Sequence, residues 1–411
     1  MMEAMKIARV EAHLLSYPLP DAAPLIYWGG LRRIVKRDAM LIKVTADNGL
    51  VGYGPGQPTE AARDAIHNIV KPFLMDMMVV DLDALRVRFQ AAVTGPEARK
   101  AYSQVEIALY DLLGKHQQLP VSELLGGRVR ERMRLYGSAG MYQSPAAYAE
   151  EAAAIAELGF SAYKMRPGLG PDEDMRTIEL MRKATGPGVD LMVDAHTWWR
   201  MGDRSYSLET VRDLAKQMTE VYWLEEPVLP DQHEALRDLR ELGTVAIASG
   251  EHEPDEEGFR HLIENDCVDF VQQDILCQGG YAAARRLFAA ITRRGQRFAF
   301  HSWGTDLEVV AAAQLGVCWP EEVVEWLEYP VYTTPQTRSM YPWPTAREIL
   351  KEPLDIEQGE LLLNRRSGLG VEVDESVIER YPWQPGPWSF FTLTSPPGTF
   401  AVVGDHSIKF A

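Results

Sequence analysis

The sequence predicts an α/β protein, a parallel barrel preceded by a smaller α+β domain, and three observations carry that expectation. First, short apolar runs ending in charged or imidazole side chains recur along the middle of the chain. They are FSAYKMR with Lys164 and Arg166, LMVDAH with Asp194 and His196, VYWLEEP with Glu225, VAIASGE with Glu251, FVQQD with Asp274, RFAFH with His301 and EWLE with Glu328. Second, these ends lie roughly 23 to 31 residues apart, the length of one strand, one helix and their crossover. Third, 411 residues exceed one ordinary domain and leave room for a second beside a barrel of about 200 residues or more. Strands that deliver polar groups from their C-terminal ends place them together at one mouth of such a barrel.

In chain order, KIARVEAHLLSY and RDAMLIKVTADNGLVGYG read as strands, the second pair joined at an Asp47-Asn48-Gly49 turn. Helical patterns follow in TEAARDAIHNIVKPFL, in DLDALRVRFQAAV and from about Arg99 to His116. Residues 1–127 are therefore expected to form the α+β domain and 128–345 the barrel, entered through LLGGRVRERMRLYGSAG. SPAAYAEEAAAIAELG and LETVRDLAKQM read as barrel helices, with Ser144-Pro145 and Asp172 as starts and Gly159 as a stop. YPVYTTPQTRSMYPWPT, rich in proline and aromatics, reads as a loop. Residues 346–411 are expected to return to the first domain, with an extra tail from about 385 in which TFAVV and HSIKF form a hairpin.

A hydrophobic fraction of 46% and a charged fraction of 25% allow a large buried core. The formal net charge of −17 argues against nucleic-acid or anionic-membrane partners, which call for a basic face. Cys267, Cys277 and Cys318 show no metal-ligand pairing and no even disulfide framework. With no signal-peptide pattern at MMEAMKIARVEAHLL and no run of roughly 18 apolar residues, a soluble cytoplasmic protein is expected.

Asp194, Glu225 and Glu251 end successive strands and so converge. Three carboxylates in one dry pocket repel and raise one another's pKa, and a hard divalent cation resolves that conflict. All-oxygen ligation favours Mg²⁺ over Zn²⁺, one ion per chain. Pleat alternation puts Trp223 and Glu225 on one face and Glu226 on the other, so Glu225 is the expected ligand. Asp274 beside His301 reads as a tuned acid/base pair, and Glu328 points into the same mouth. Lys164 and Arg166, two apart, face the same way. They suit a bound carboxylate and the dianion formed when its α-carbon loses a proton, or one of them acts as a base if clustering depresses its pKa. His196 shares a face with Asp194 and reads as a second base, a partner to a substrate hydroxyl or a strand-end histidine. His252 is expected to point away from the ion.

The ordered set YKMR, MVDAH, WLEEP, SGE, QQD, FHSWGT and EWLE resembles the enolase superfamily, and within it the mandelate racemase-like subgroup. The resemblance runs from MKIARVEAHLL to about VDESVIERYPW. It implies a modified (β/α)₇β TIM barrel under an N-terminal α+β capping domain completed by C-terminal segments. It also implies Mg²⁺ on Asp194, Glu225 and Glu251, a His301–Asp274 dyad, Glu328 as a hydrogen-bonding residue and Lys164 near the substrate carboxylate. Capping loops carrying Tyr27, Trp28 and Gln57 would close over the substrate.

Arg166 stands where the family pattern usually has a second lysine, and an arginine that holds its proton disfavours a two-base racemase. Asp194-x-His196 resembles acid-sugar dehydratases, and HSWGT resembles galactarolactone cycloisomerases. The expected reaction is abstraction of the α-proton of a sugar acid to a metal-stabilised enediolate, then loss of the β-hydroxyl. Epimerisation and lactone cycloisomerisation are the alternatives from the same enediolate, and an inactive structural homologue is the alternative of another class. A hydrolase barrel would want a His-x-His pair where RLYGSAG stands, and a Schiff-base aldolase would need no carboxylate cluster. A homo-oligomer, dimer to octamer, is expected, with the C-terminal tail available for contacts.

Overall fold

The computed structural model describes residues 5–21, 24–27, 30–141, 144–333, 343–393 and 400–403. Eight strands form the barrel in chain order: Arg132–Met141, Ala162–Arg166, Asp190–Asp194, Val221–Glu225, Ala246–Ser249, Phe270–Gln273, Arg297–Phe300 and Val324–Pro330. Each is parallel to the next, and the eighth returns to the first, with Leu327 opposite Leu135 and Glu328 opposite Tyr136. Closure leaves the sheet no edge. Helices outside cover the outer face, so strands such as AYKMR are buried along their whole length.

The helix boundaries follow local chemistry. Ser144 Oγ accepts from Ala147 N at 3.4 Å to open Pro145–Glu157, and Gly159, at φ 92°, stops the chain from continuing it. The next helix opens at Pro171 after Gly170, one residue from the expected start, and Asp172 sits in its first turn with Glu173 and Asp174. Acidic groups there face the positive end of the helix dipole.

One residue from each strand fills the barrel interior: Tyr136, Ala162, Met192, Trp223, Ala248, Phe270, Ala299 and Trp326. Three alanines are interspersed among larger side chains, and the Trp223 ring sits edge-on to Tyr136 at 5.3 Å and tilted against Phe270 at 5.0 Å. This is a packed floor rather than a pore.

The capping domain is an antiparallel sheet of Ile7–Pro18, Lys36–Ala46 and Val51–Gly56, with the long helix Pro96–Gln117 against it. The run predicted at TEAARDAIHNIVKPFL is helical from Glu60 to Leu74, with a π turn over Ile66–Val70. Gln57 N donates to Gln104 Oε1 at 3.0 Å, and Gln104 Nε2 donates to the Leu276 carbonyl at 3.2 Å. The cap is thereby tied to the loop after the sixth barrel strand.

The C-terminal segment divides, where the sequence reading sent all of it to the cap. Glu360–Leu362 pairs antiparallel with Arg132–Arg134, at the end of the barrel away from the mouth. The helix Pro344–Arg347 before it already packs on the cap strands Ile7–Pro18 and Lys36–Ala46, and the chain returns to the cap afterwards, where Leu369 N donates to Asp111 Oδ1 at 2.8 Å and Glu375 meets Lys43 at 2.7 Å. In the tail, Ser389–Leu393 pairs with Gly30–Ile34 on one side and with Phe400–Val403 on the other. Phe400–Val403 of the expected TFAVV strand thus pairs with SFFTL, while HSIKF, its expected hairpin partner, lies outside the described residues. Among the described residues no helix is long and apolar enough to cross a membrane.

Candidate active site

Every second residue of a strand faces the barrel axis, so the floor fixes what stands above it. Two residues beyond the floor come Ser138, Lys164, Asp194, Glu225, Gly250, Gln272, His301 and Glu328. The polar ring is thus one pleat step above an apolar layer, in a site nearly sealed from water.

Lys164 stands at the centre of the ring's charges. Its Nζ lies 2.7 Å from Glu225 Oε1, 3.0 Å from Glu328 Oε1 and 3.6 Å from Asp194 Oδ2, and all four side chains are buried. Arg166, one inward step higher, places Nε 3.0 Å from Asp194 Oδ2 and Nη2 3.2 Å from Glu328 Oε1. Its guanidinium lies over the Trp303 ring at 4.1 Å. Burial disfavours both cations, but Glu225 and Glu328 hold Lys164 well above its ordinary value, and Asp194 and Glu328 do the same for Arg166. Neither is the base of depressed pKa that clustered cations would make, because the surrounding charges are negative.

His301 faces this cluster from the seventh strand. Nδ1 is 3.0 Å from Asp274 Oδ2, while Nε2 lies 3.2 Å from Glu251 Oε2 and 3.8 Å from Glu328 Oε2. Against burial, the Glu251 carboxylate, the hydrogen bond to Asp274 and Glu328 raise its pKa well above the usual histidine value. Asp274 Oδ1 in turn accepts from Leu276 N at 2.6 Å and Cys277 N at 3.1 Å, so the dyad is held by backbone.

His196 lies next to Asp194, but not through the pleat. The chain leaves the strand after Asp194 into the 3-10 turn Ala195–Thr197, and Nδ1 comes 2.6 Å from Asp194 Oδ1 and 3.9 Å from Glu251 Oε1. Burial lowers its pKa despite Asp194. His252 was expected to point away, and it does not: Nδ1 is 3.2 Å from Glu251 Oε1 and 2.6 Å from Glu226 Oε2. The fifth strand ends early at Ser249, and Gly250, at φ 137° with no room for a Cβ beside the Gln272 carbonyl, turns the chain so that both Glu251 and His252 reach inward.

Of the three predicted ligands, Asp194 and Glu225 meet at Lys164 Nζ, and Asp194 and Glu251 both approach His196 Nδ1. Among the described residues, the acidic and imidazole groups whose donor atoms all fall within 4.8 Å of one another are Glu226, Glu251 and His252, not the predicted set. The predicted set nevertheless fits a divalent cation. Asp194 Oδ2 and Glu251 Oε2 are buried without a hydrogen-bond partner, although Arg166 and His301 supply charge nearby. Burial, joined by Asp194, Glu251 and Glu328 and opposed by Lys164, pushes Glu225 up to about 8. Buried carboxylate oxygens left without donors are costly, and a hard cation satisfies them.

A small cavity, about 50 Å³, runs between Asp274 and His301 of the barrel and Asp38 and Gln57 of the cap, with Trp303, Glu308 and Trp343 also lining it. Tyr27 ends the short strand Leu25–Tyr27 opposite Gly30, and Trp28 lies outside the described residues. Sequence reasoning missed Glu308, Trp303 and Trp343. Glu308 is buried on the helix Asp306–Gly316 and packs where a Cβ on Gly304 would stand, so the glycine of HSWGT was its available signal. Trp303 and Trp343 lie on connections, where no periodicity marks them.

Residues 147–377 match the enolase C-terminal domain-like family, and residues 31–126 match the N-terminal domain of the mandelate racemase / muconate lactonizing enzyme family. The chain is 29% identical over 391 residues to the D-galactarolactone cycloisomerase of Agrobacterium fabrum, covering 92% of this chain and 99% of the relative. It is 27% identical over 369 residues to the D-xylonate dehydratase of Haloferax volcanii, covering 83% and 85%. The solved 3,6-anhydro-D-galactonate cycloisomerase of Zobellia galactanivorans superposes with a TM-score of 0.76 at 28% identity, over 92% of this chain and 99% of that one. With its two parts matched in order, the chain belongs to the enolase superfamily, in its mandelate racemase-like subgroup.

Proposed function

We propose that the barrel mouth removes the α-proton of a sugar-acid carboxylate and then expels the β-hydroxyl, giving a 2-keto-3-deoxy acid. The observation that carries this reading is the placement of His301 Nε2, on a dyad with Asp274, beside a carboxylate ring with two oxygens left without donors. Asp194, Glu225 and Glu251 would hold a divalent cation, Mg²⁺ by its all-oxygen ligation, and such an ion supplies Lewis-acid stabilisation of charge on a bound carboxylate.

The chain's own residues do the rest. Lys164 and Arg166 keep their protons and offer fixed positive charge to the carboxylate as it becomes a dianion. Asp274 holds Nδ1 of His301, so that Nε2 is the nitrogen that exchanges protons. Neutral His301 takes the α-proton there, and protonated His301 delivers a proton to the departing hydroxyl. Its raised proton affinity suits the second task as well as the first. His196, fixed by Asp194, is placed for a substrate hydroxyl.

Cycloisomerisation is the second reading, favoured by the near end-to-end match to the A. fabrum enzyme. Both begin with the same proton transfer. The experiment is a library of aldonic and aldaric acids and their lactones with Mg²⁺, scored for keto product by semicarbazide and for α-deuterium by NMR in D₂O. Keto product supports dehydration. Lactone isomerisation without keto product moves the assignment to the second reading, and no product and no exchange with any acid refutes both.

A further inference from the structure

Glu226 is buried and takes φ 44°, a left-handed backbone that side-chain-bearing residues rarely adopt. Such a conformation persists only where the surroundings over-determine it, and here they do. Its N–H donates to the Ala248 carbonyl at 2.9 Å, on the neighbouring strand. Its carbonyl accepts from Trp199 Nε1 at 3.0 Å, on the segment that carries His196. Its side chain takes two contacts from His252: the backbone N–H to Oε1 at 3.3 Å and ring Nδ1 to Oε2 at 2.6 Å. One residue thus joins the ends of three adjacent strands, those bearing Asp194, Glu225 and Glu251.

The proton on His252 can be placed. Arg200 Nη2 lies 2.6 Å from His252 Nε2. A guanidinium only donates, so Nε2 accepts and Nδ1 carries the hydrogen toward Glu226. The same Nδ1 stands 3.2 Å from Glu251 Oε1, which leaves Oε2 of Glu251 facing His301 and the ring. Although Glu226, Glu251 and His252 bring donor atoms within 4.8 Å, both His252 nitrogens and both Glu226 oxygens are already engaged. The trio therefore braces a ligand rather than forming a second ion site.

We infer that Glu226 is a positioning residue which, through His252 and Arg200, sets the orientation of Glu251 and with it the affinity of the mouth for its divalent cation. This rests on the reading of Asp194, Glu225 and Glu251 as ion ligands. The test is direct binding of Mn²⁺, followed by the EPR signal of the free ion, to metal-stripped wild type, Glu226→Ala, Glu226→Gln, Arg200→Met and Arg200→Lys. Removing partners that orient ligands typically weakens metal affinity about 10- to 100-fold, and that loss is expected for Glu226→Ala. Glu226→Gln, which keeps an acceptor for His252, should recover part of it. Arg200→Met should weaken binding several-fold and Arg200→Lys restore it, with the melting temperature of the ion-free protein unchanged in both. The Arg200 pair keeps the test decisive if Glu226→Ala does not fold. Affinities within twofold of wild type in every folded variant overturn the inference alone. A wild type that binds no Mn²⁺ overturns the ligand reading, and the inference with it.

Discussion

In the capping domain, Glu106 is buried on the long helix with Arg86 at 3.0 Å as its charged partner, and Arg86 also reaches Asp83 at 2.8 Å. At the barrel mouth, Asp194, Glu225 and Glu328 share Lys164 and Arg166 while Glu251 stands against His301, and Asp194 Oδ2 and Glu251 Oε2 make no hydrogen bond, as Glu106 Oε2 makes none in the cap. Both regions put charge in a dry interior, but the first pairs it locally, as a structural contact between neighbouring helices does. The second leaves negative charge in excess of its partners, which weakens a fold and is kept where chemistry needs it. Excess charge that the structure does not resolve marks the site better than burial or ion pairing alone.

Substitutions should separate the two regions. The largest effect is expected for His301→Asn: turnover of the acid identified by the library falls about 10²- to 10⁴-fold, the usual share of a general acid/base. Mn²⁺ affinity and thermal stability should stay near wild type. Retained turnover would remove His301 from the chemistry. Next comes the floor beneath the mouth. Trp223→Ala opens a cavity among Tyr136, Phe270 and Trp326 and deletes the N–H that Glu225 Oε2 accepts at 3.1 Å. A loss of about 3–5 kcal/mol in denaturant unfolding is expected, and a change under about 1 kcal/mol would mean the floor is not packed as described.

The smallest effect belongs to the cap. Burial, against Arg86, pushes Glu106 up to about 7 from an ordinary 4.5. A carboxyl raised in the folded state contributes its stability below about 4.5 and loses it as pH rises through about 7. Wild type should therefore lose stability from pH 5 to pH 8 relative to Glu106→Gln, by roughly 3 kcal/mol at most. Parallel thermal melts across that range, with activity unchanged by the substitution, would sharpen the contrast. Melting curves that keep a constant offset would show Glu106 to be ionised throughout.

The barrel and most of its ring were legible because a strand repeats every two residues and a helix crossover restores the phase. Asp194, Glu225, His301 and Glu328 each sit two positions beyond a floor residue, so an apolar run with a polar end carried their position. The signal failed where backbone leaves the pleat. Gly250 turns His252 inward, and Glu226 at φ 44° couples strands that a pleat would keep apart. The protonation of Lys164 was also out of reach, since it depends on carboxylates from three other strands. Contributions from the cap, such as Gln57, could be guessed from their loop but not their neighbours Trp303, Glu308 and Trp343, which chain separation hides.

If this mouth makes the carbon next to a carboxyl group acidic, the hydrogen on that carbon exchanges or leaves. Proton NMR of a responsive sugar acid in D₂O, with Mg²⁺ present and then chelated, tests it most directly. Wild type with Mg²⁺ is expected to replace or remove the α-hydrogen, and neither the chelated enzyme nor His301→Asn to do so. Undiminished conversion after exhaustive chelation, or product formed with the α-hydrogen still in place, would contradict it.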